Sequence, residues 1–364
     1  MLLSFSGACA NIEIKTYRET KPLDICDVIK IAENNDVNMI QLFSPITKEE
    51  AVWLNDEVFS IRDNIELNVA FTDEDGTCDL SILRNLSKVK KLSISDSHLS
   101  PNACIKNADS LMALDQLSWF SFSKGNVKDY SFLSYLSSNI QTIMLLIDNK
   151  RVNFDIDNLL RSKRLENLSI HGWKKDIDKL RNFNTVKSLM LRGITIGDYS
   201  FINQMEALTG LSIRYGASKN FSALFGNPKI ETLEFWRVSN LDNVEVLSHL
   251  PNLRFIYLQQ LKNVRKFPNL SNAFCLKKIM LDDMRGLDEF SALETMPSLE
   301  KFRRWCSKTI PADSLIPVLK NPSLKSFYFS CVNQKENNKL DCYIKQYMQA
   351  ENNPPQWEKF ALQF

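Results

Sequence analysis

Residues 186–191, VKSLML, 208–213, LTGLSI, 230–235, IETLEF, 253–258, LRFIYL, and 276–281, LKKIML, are five copies of one phrase. Each opens on an apolar residue, passes two variable ones and closes on apolar–x–apolar. Upstream the phrase continues as Val89-x-x-Leu92-x-Ile94, Leu117-x-x-Phe120-x-Phe122, Ile140-x-x-Ile143-x-Leu145 and Leu165-x-x-Leu168-x-Ile170. Downstream it continues as Leu299-x-x-Phe302-x-Arg304 and Leu324-x-x-Phe327-x-Phe329. The eleven copies stand 21 to 28 residues apart. Two weaker ones precede them, Val37-x-x-Ile40-x-Leu42 and Arg62-x-x-Ile65-x-Leu67.

The apolar–x–apolar step has a period of two, which is a short strand with one face buried. The stretch after each strand is too long for a hairpin. Successive strands are therefore expected side by side and parallel, joined by crossovers. A second apolar set falls in those returns: Leu241, Val244 and Val246, then Val264 and Phe267, then Leu287 and Phe290. Segments this short are expected as 3₁₀ or single helical turns. One such unit cannot bury its own apolar faces, whereas a stack buries them in a continuous core. A single quasi-linear array is expected, although 364 residues alone would divide into two domains.

The phrase resembles the leucine-rich repeat, L-x-x-L-x-L-x-x-[NC]-x-L, over residues 85–330. The resemblance implies an α/β solenoid of the stand-alone bacterial type. Its form would be a horseshoe with a parallel concave sheet, short 3₁₀ or helical convex segments, and helical N-terminal and C-terminal caps. The chain departs from the pattern at the ninth position, where Trp173, Ile194, Val238, Leu261 and Met284 replace the usual Asn or Cys. Apolar packing is expected there in place of an asparagine ladder, with irregular turns.

A stack needs capped ends. Residues 1–60 are read as the N-terminal cap, 61–331 as the repeat array and 332–364 as the C-terminal cap. In the first cap, Asp24 to Glu33 reads as a helix with Ile25, Val28, Ile29 and Ala32 at helical spacing. A second helix starts at Thr47 with Glu50 three residues on, a capping box, and Val52 and Leu54 in its body. In the last cap, Asn333 to Lys339 reads as a polar loop and Asp341 to Ala350 as a helix ended by Pro354-Pro355. Trp357, Phe360 and Phe364 are expected to fold back onto the last repeat.

Composition removes several functions. Lys and Arg number 45 against 43 Asp and Glu, a net charge of +2, which argues against coating nucleic acid or an anionic membrane. Only 10 glycines are present, and neither phosphate-cradling glycine motif occurs. With three histidines and eight scattered cysteines, a zinc site has little to draw on. No cofactor and no small-molecule substrate is expected. No apolar run approaches a membrane span. The start, Met1 to Ala10, lacks the basic region and long apolar stretch of a signal peptide and reads as a first strand continuing into Ile12 and Ile14. A reducing, cytoplasmic setting is the expectation.

Candidate chemistry is sparse. His98, His171 and His249 fall at different phases of the repeat, with no nucleophile beside them. Asp73-Glu74-Asp75 lacks the alternating ligands of a calcium loop and reads as a solvated turn. Asp282-Asp283 is the other candidate cation pair. Lys88-x-Lys90-Lys91 and Lys174-Lys175 read as solvated faces. Arg304 stands where the phrase wants an apolar residue, and an irregular backbone is expected over Phe302–Cys306.

The third, fifth and seventh positions point away from the core. Read across the copies, the fifth gives Ser93, Ser121, Met144, Ser169, Met190, Ser212, Glu234, Tyr257, Met280, Arg303 and Tyr328. The seventh gives Ser95, Ser123, Leu146, His171, Arg192, Arg214, Trp236, Gln259, Asp282, Trp305 and Ser330. The later copies gather aromatics and arginines, the composition of protein-binding hot spots. The candidate patch is Met190, Arg192, Arg214, Tyr215, Glu234, Trp236, Arg237, Phe255, Tyr257, Asp282, Arg303 and Trp305. Exposed tryptophans at 236 and 305 are expected to be used. Trp119, Met144 and Leu146 form a second, apolar candidate.

The reading is a non-enzymatic scaffold that binds a protein partner through the concave face, in its sharper form an immunity-type inhibitor neutralising a toxin. The alternatives are the substrate-recognition arm of a ubiquitin-ligase assembly, and a surface receptor or adhesin.

Overall fold

The computed structural model describes residues 15–18, 22–73, 75–95, 103–147, 151–330 and 333–348. The readings of Met1–Ile14, His98, Glu74, Trp357, Phe360 and Phe364 lie outside the described residues. The described residues form two compact units, one up to Val186 and one from Lys187.

The first unit begins with β1 (Lys15–Arg18), α1 (Ile25–Glu33), β2 (Val37–Leu42), and α2 (Lys48–Trp53) running on into a π-helical turn, Leu54–Phe59. The strands that follow are β3 (Glu66–Val69), β4 (Thr77–Asp79), β5 (Lys91–Ser95), β6 (Cys104–Lys106), β7 (Trp119–Ser123), β8 (Thr142–Leu146) and β9 (Asn167–His171). Seven of them, β1, β2, β3, β5, β7, β8 and β9, pair in that order, all parallel. The second unit contributes β10 (Ser188–Arg192), β11 (Gly210–Arg214), β12 (Thr232–Trp236), β13 (Phe255–Gln259), β14 (Lys278–Asp282), β15 (Lys301–Trp305) and β16 (Ser326–Ser330). These also pair in sequence and in parallel, with α3 (Ile316–Leu319) and α4 (Gln334–Tyr347) near the end.

The phrase explains this register. Its first, fourth and sixth residues are the inner layer, and from Val89 to Leu281 nearly all are under 3 % exposed. Parallel pairing sets each of them beside its counterpart, as in Leu189↔Leu211 and Leu233↔Ile256. The returns are 3₁₀ turns, for example Ser131–Tyr135, Ile177–Asn182 and Glu245–Ser248. Their apolar residues Leu241, Val244, Val246, Val264, Phe267, Leu287 and Phe290 are buried, closing the core from the other side. The ninth-position residues Trp173, Ile194, Val238, Leu261 and Met284 are buried too, so apolar packing does replace the asparagine ladder. The amides of Gly193, Tyr215, Arg237, Gln260 and Asp283 each donate to the seventh-position carbonyl of the next strand, at 2.7–2.9 Å.

The N-terminal helices form as their capping residues dictate. Asp24 caps α1. Thr47 and Glu50 make the reciprocal capping box of α2, and Glu50 also accepts the amide of Leu23 at 2.7 Å. The buried face of α1 differs from the one expected: Val28 and Ile31 are buried, whereas Ile25 and Ile29 are exposed. The helix packs against the π-helical turn, which meets the Val28–Ile31 side.

Three further expectations are corrected, and one sheet is added. The second weak phrase copy is out of register by two residues. Ile40 pairs with Leu67 and Leu67 with Leu92, so the inner pair is Leu67 and Val69. Ile65 is buried before the strand begins, which produced the misreading. Asn333 to Lys339 is not a loop, because α4 begins at Gln334 with Asn333 as its side-chain cap. This helix is polar nearly all round, with Leu340 its buried residue, so the apolar period that marks a helix is missing. The strand at Arg304 is regular. Leu281↔Arg304↔Phe329 are in continuous register, and Arg304 is wholly buried. Its guanidinium lies over the Phe329 ring, 5.1 Å from its centre, a cation–π contact that offsets part of the cost of arginine in an apolar slot. Finally, β4 and β6 form a separate two-stranded parallel sheet in the returns, which the phrase does not encode.

Candidate functional site

In the second unit the register converts sequence period into rows of side chains. Strands spaced about 4.8 Å apart bring Met190, Ser212, Glu234, Tyr257, Met280, Arg303 and Tyr328 into one row. Arg192, Arg214, Trp236, Gln259, Asp282 and Trp305 form the row beside it. Of the twelve candidate residues, Met190, Glu234 and Tyr257 lie in the middle row and are buried by their neighbours, at 3 %, 1 % and 4 % exposed. Arg192, Arg214, Tyr215, Trp236, Phe255, Asp282 and Arg303 are half-buried, and Arg237 and Trp305 are exposed. Trp236 is therefore not the exposed ring expected, since Tyr215 and Arg214 cover it. Trp305 is, at 45 %.

The first cluster surrounds a buried ion pair. Arg214 donates from Nη2 to Glu234 Oε2 at 2.9 Å and from Nε to the Ser212 hydroxyl at 3.1 Å. Ser212 donates on to the same Glu234 oxygen at 3.0 Å. The Arg214 guanidinium also lies 5.2 Å from the Trp236 ring, and Trp236 and Tyr215 meet at 5.0 Å between ring centres. Arg192 lies 4.8 Å and Arg237 5.5 Å from the centre of that same Tyr215 ring. Burial, and the positive charge of Arg214, push the Arg192 guanidinium below its ordinary value. Glu234 Oε1 and Trp236 Nε1 are buried with no hydrogen-bond partner among the described residues, a cost carried at the centre of the patch.

The second cluster centres on Tyr257. Its hydroxyl is 3.0 Å from both Gln259 Oε1 and Asp282 Oδ2, and its single proton serves one of them at a time. Burial, with the neighbouring Asp282 charge, raises the Tyr257 hydroxyl well above its ordinary value. Burial raises the Asp282 carboxyl as well, against the pull of the Tyr257 hydrogen bond. Asp283 turns elsewhere. It accepts Ser307 Oγ at 2.6 Å, the Ser307 amide at 3.2 Å and Arg285 Nε at 3.1 Å. Burial would raise its carboxyl, but these donors hold it down at about 2. The two aspartates thus serve different partners. Among the described residues no group of three metal-ligating side chains converges.

The third cluster is open: Arg303 lies 5.6 Å from the ring centre of Tyr328, which is 39 % exposed, beside Trp305. Tyr328 belongs with the candidates and was left out of the patch, although its row position points to it.

The eighth position carries a signal that the period does not. It is left-handed in six successive repeats: Gly172 and Gly193, then Tyr215, Arg237, Gln260 and Asp283, at φ between 47° and 82°. A side chain there costs roughly 1 kcal/mol against glycine. Gly172 and Gly193 mark the conformation in the sequence. The four residues after them bear its cost, and their side chains link across repeats. Arg237 lies over Tyr215, Arg237 Nε donates to Gln260 Oε1, and Gln260 Nε2 reaches Asp283 at 3.4 Å.

In the first unit, Trp119, Met144 and Leu146 are half-buried and lie on neighbouring strands. His171 is half-buried, and His249 stacks on Phe225 at 3.9 Å.

No protein-family model matches the chain, and no curated protein matches it. Solved structures do. An internalin of Listeria monocytogenes superposes with a TM-score of 0.51 at 17% identity, over 91% of this chain and 94% of its own. Toll, in its complex with Spatzle from Drosophila, gives 0.58 at 13% identity, over 86% of this chain and 43% of the other. The mouse RP105/MD-1 complex gives 0.52 at 13% identity, over 88% and 61%. With the phrase, the parallel register and the 3₁₀ returns, these likenesses establish that the chain has the leucine-rich repeat fold.

Proposed function

We propose that the chain is a non-enzymatic scaffold that binds a partner protein on the sheet face of residues 187–330, the concave face in the repeat's usual form. The observation that carries this reading is the cluster of Arg303, Trp305 and Tyr328 on adjacent strands, which leaves two large aromatics 45 % and 39 % exposed on a regular sheet. Such residues held on strands lose little freedom on binding and supply hot-spot contacts. Toll and RP105 are each recorded in complex with a protein, Spatzle and MD-1, which supports a protein as the ligand here. In its finer form the reading is an immunity-type inhibitor that neutralises a toxin by covering its working surface. A reducing, cytoplasmic site of action fits Cys26, Cys78, Cys104, Cys275, Cys306 and Cys342, none of which forms a disulfide among the described residues.

Affinity capture from the source organism tests this, comparing the wild type with an Arg303→Ala/Trp305→Ala variant of unchanged melting temperature. Loss of one captured protein from the variant supports the face. Equal capture by both overturns it. If the captured protein is an enzyme toxic to the cell, adding the chain abolishes its activity.

A further inference from the structure

The face proposed above has one end whose chemistry can be specified further. Around Tyr215 and Trp236 the chain gathers three guanidiniums, from Arg192, Arg214 and Arg237, and one carboxylate, from Glu234. Each guanidinium lies against an aromatic ring. That contact covers a flat side of the guanidinium and not its N–H edge. Arg214 uses its edge on Glu234 and Ser212, whereas Arg237 gives Nε to Gln260 and keeps its terminal nitrogens for the two parallel hydrogen bonds through which arginine grips a carboxylate. Arg237 is exposed. Tyr215 and Arg237 also occupy the left-handed eighth position, where Gly193 one repeat earlier serves without strain. A tyrosine and an arginine kept where glycine fits better point to a use for their side chains.

The extent of the cluster narrows the ligand. It spans β10 to β12, about 10 Å at the usual strand spacing, which two or three carboxylates on an extended chain can cover. Along the row it gives way to Gln259 and Asp282. A phosphate backbone following the sheet would therefore meet a carboxylate, whereas a short acidic run ends before it.

We propose that the guanidiniums set on Tyr215 and Trp236, with exposed Arg237 as the contact and Arg192 and Arg214 as the surrounding positive charge, form the recognition site for a short run of aspartate and glutamate side chains on the partner protein. This rests on the face-binding reading and adds the charge of the segment that docks there.

The probe is a fluorescent hexaglutamate peptide, followed by anisotropy on the full chain at low salt, with hexalysine as its counterpart. Hexaglutamate binds the wild type and hexalysine does not. An Arg192→Gln/Arg237→Gln variant binds at least tenfold more weakly. Arg254→Gln/Arg265→Gln, which removes the same charge from exposed positions outside the cluster, stays within twofold. Arg237→Gly weakens binding without lowering the melting temperature, because it relieves the left-handed strain. The proposal is overturned by equal binding to both double variants, by no hexaglutamate binding to the wild type, or by a melting temperature that falls in Arg237→Gly while binding is kept. It is also overturned if inorganic phosphate at equal charge competes as well as hexaglutamate, which would make the cluster a general oxyanion site. Failure here is separable from failure of the face. A partner that needs Trp305 and Arg303 but holds the Arg192→Gln/Arg237→Gln variant as tightly as the wild type leaves the face standing and removes the acidic segment.

Discussion

Each unit has its own parallel, in-sequence strand register, and the two sheet faces carry different chemistry. In the first unit the rows hold Asn68, Ser93, Ser121 and Ser95, Ser123, and the polar atoms satisfy one another: Ser93 donates to Glu66 and Ser95 to Asn68. In the second unit the same positions hold arginines and large aromatics, and Ser212 donates to a glutamate that an arginine also grips. The inner residues are alike, and it is the outward ones that change. The fold fixes the first, fourth, sixth and ninth positions by burial. It leaves the outward ones to be set by something outside the core.

The buried Arg214–Glu234 ion pair expresses the difference most strongly. Glu234 and Arg214 are 2 % and 14 % exposed at their side chains. Removing one partner strands a buried charge, so Glu234→Ala is expected to cost about 3–5 kcal/mol, read as a large drop in denaturation midpoint. A loss as small as that of an exposed pair would show that the cluster does not bear on stability. Next in size is Gly172→Ala in the first unit. At φ +82° an added Cβ would meet the Ile147 carbonyl oxygen at 2.3 Å. The left-handed conformation alone costs ~1–2 kcal/mol, and the clash adds to it.

The units also respond to acid in opposite directions. Asp283 has its carboxyl lowered from 3.8 to about 2. Its contribution is complete above the ordinary carboxylate value and is lost as pH falls toward 2, on the order of 2 kcal/mol. Asp283→Asn should flatten acid unfolding in that window. Burial raises Glu66, against the pull of Ser93 and Lys91. Its ionised form therefore destabilises the fold above that raised value, and the penalty is relieved as pH falls through it. Glu66→Gln should raise the melting temperature at pH 7 and leave no such gain on acidification. If both variants shift stability the same way across pH, the contrast between the units fails. The smallest effect belongs to the exposed Arg84–Asp109 pair at 2.9 Å, where Arg84→Ala should change stability by less than about 1 kcal/mol.

The repeat was legible because burial repeats. Leu189, Leu211 and Leu233 recur at one phase since all three meet the same core. The rows of the candidate site followed from that phase without further information. Four features did not. The register of Leu67 and Val69 was hidden by Ile65, an apolar residue buried outside the strand. The helix over Gln334–Tyr347 carries too few apolar residues to show a period. The burial of Glu234 and Tyr257 depends on the width of their neighbours' side chains across strands, which no single phrase contains. Arg304 belongs with these, because an arginine fits an apolar slot only where a ring such as Phe329 lies against it.

The most direct test of the binding face is site-specific photo-crosslinking in cells of the source organism. A photo-reactive phenylalanine analogue replaces Tyr328 on the face or Met112, which is 61 % exposed in the 3₁₀ return Ala108–Ala113 of the first unit. The account predicts one protein crosslinked from position 328 and not from 112. Crosslinking of that partner from 112 alone, with none from 328, would contradict it.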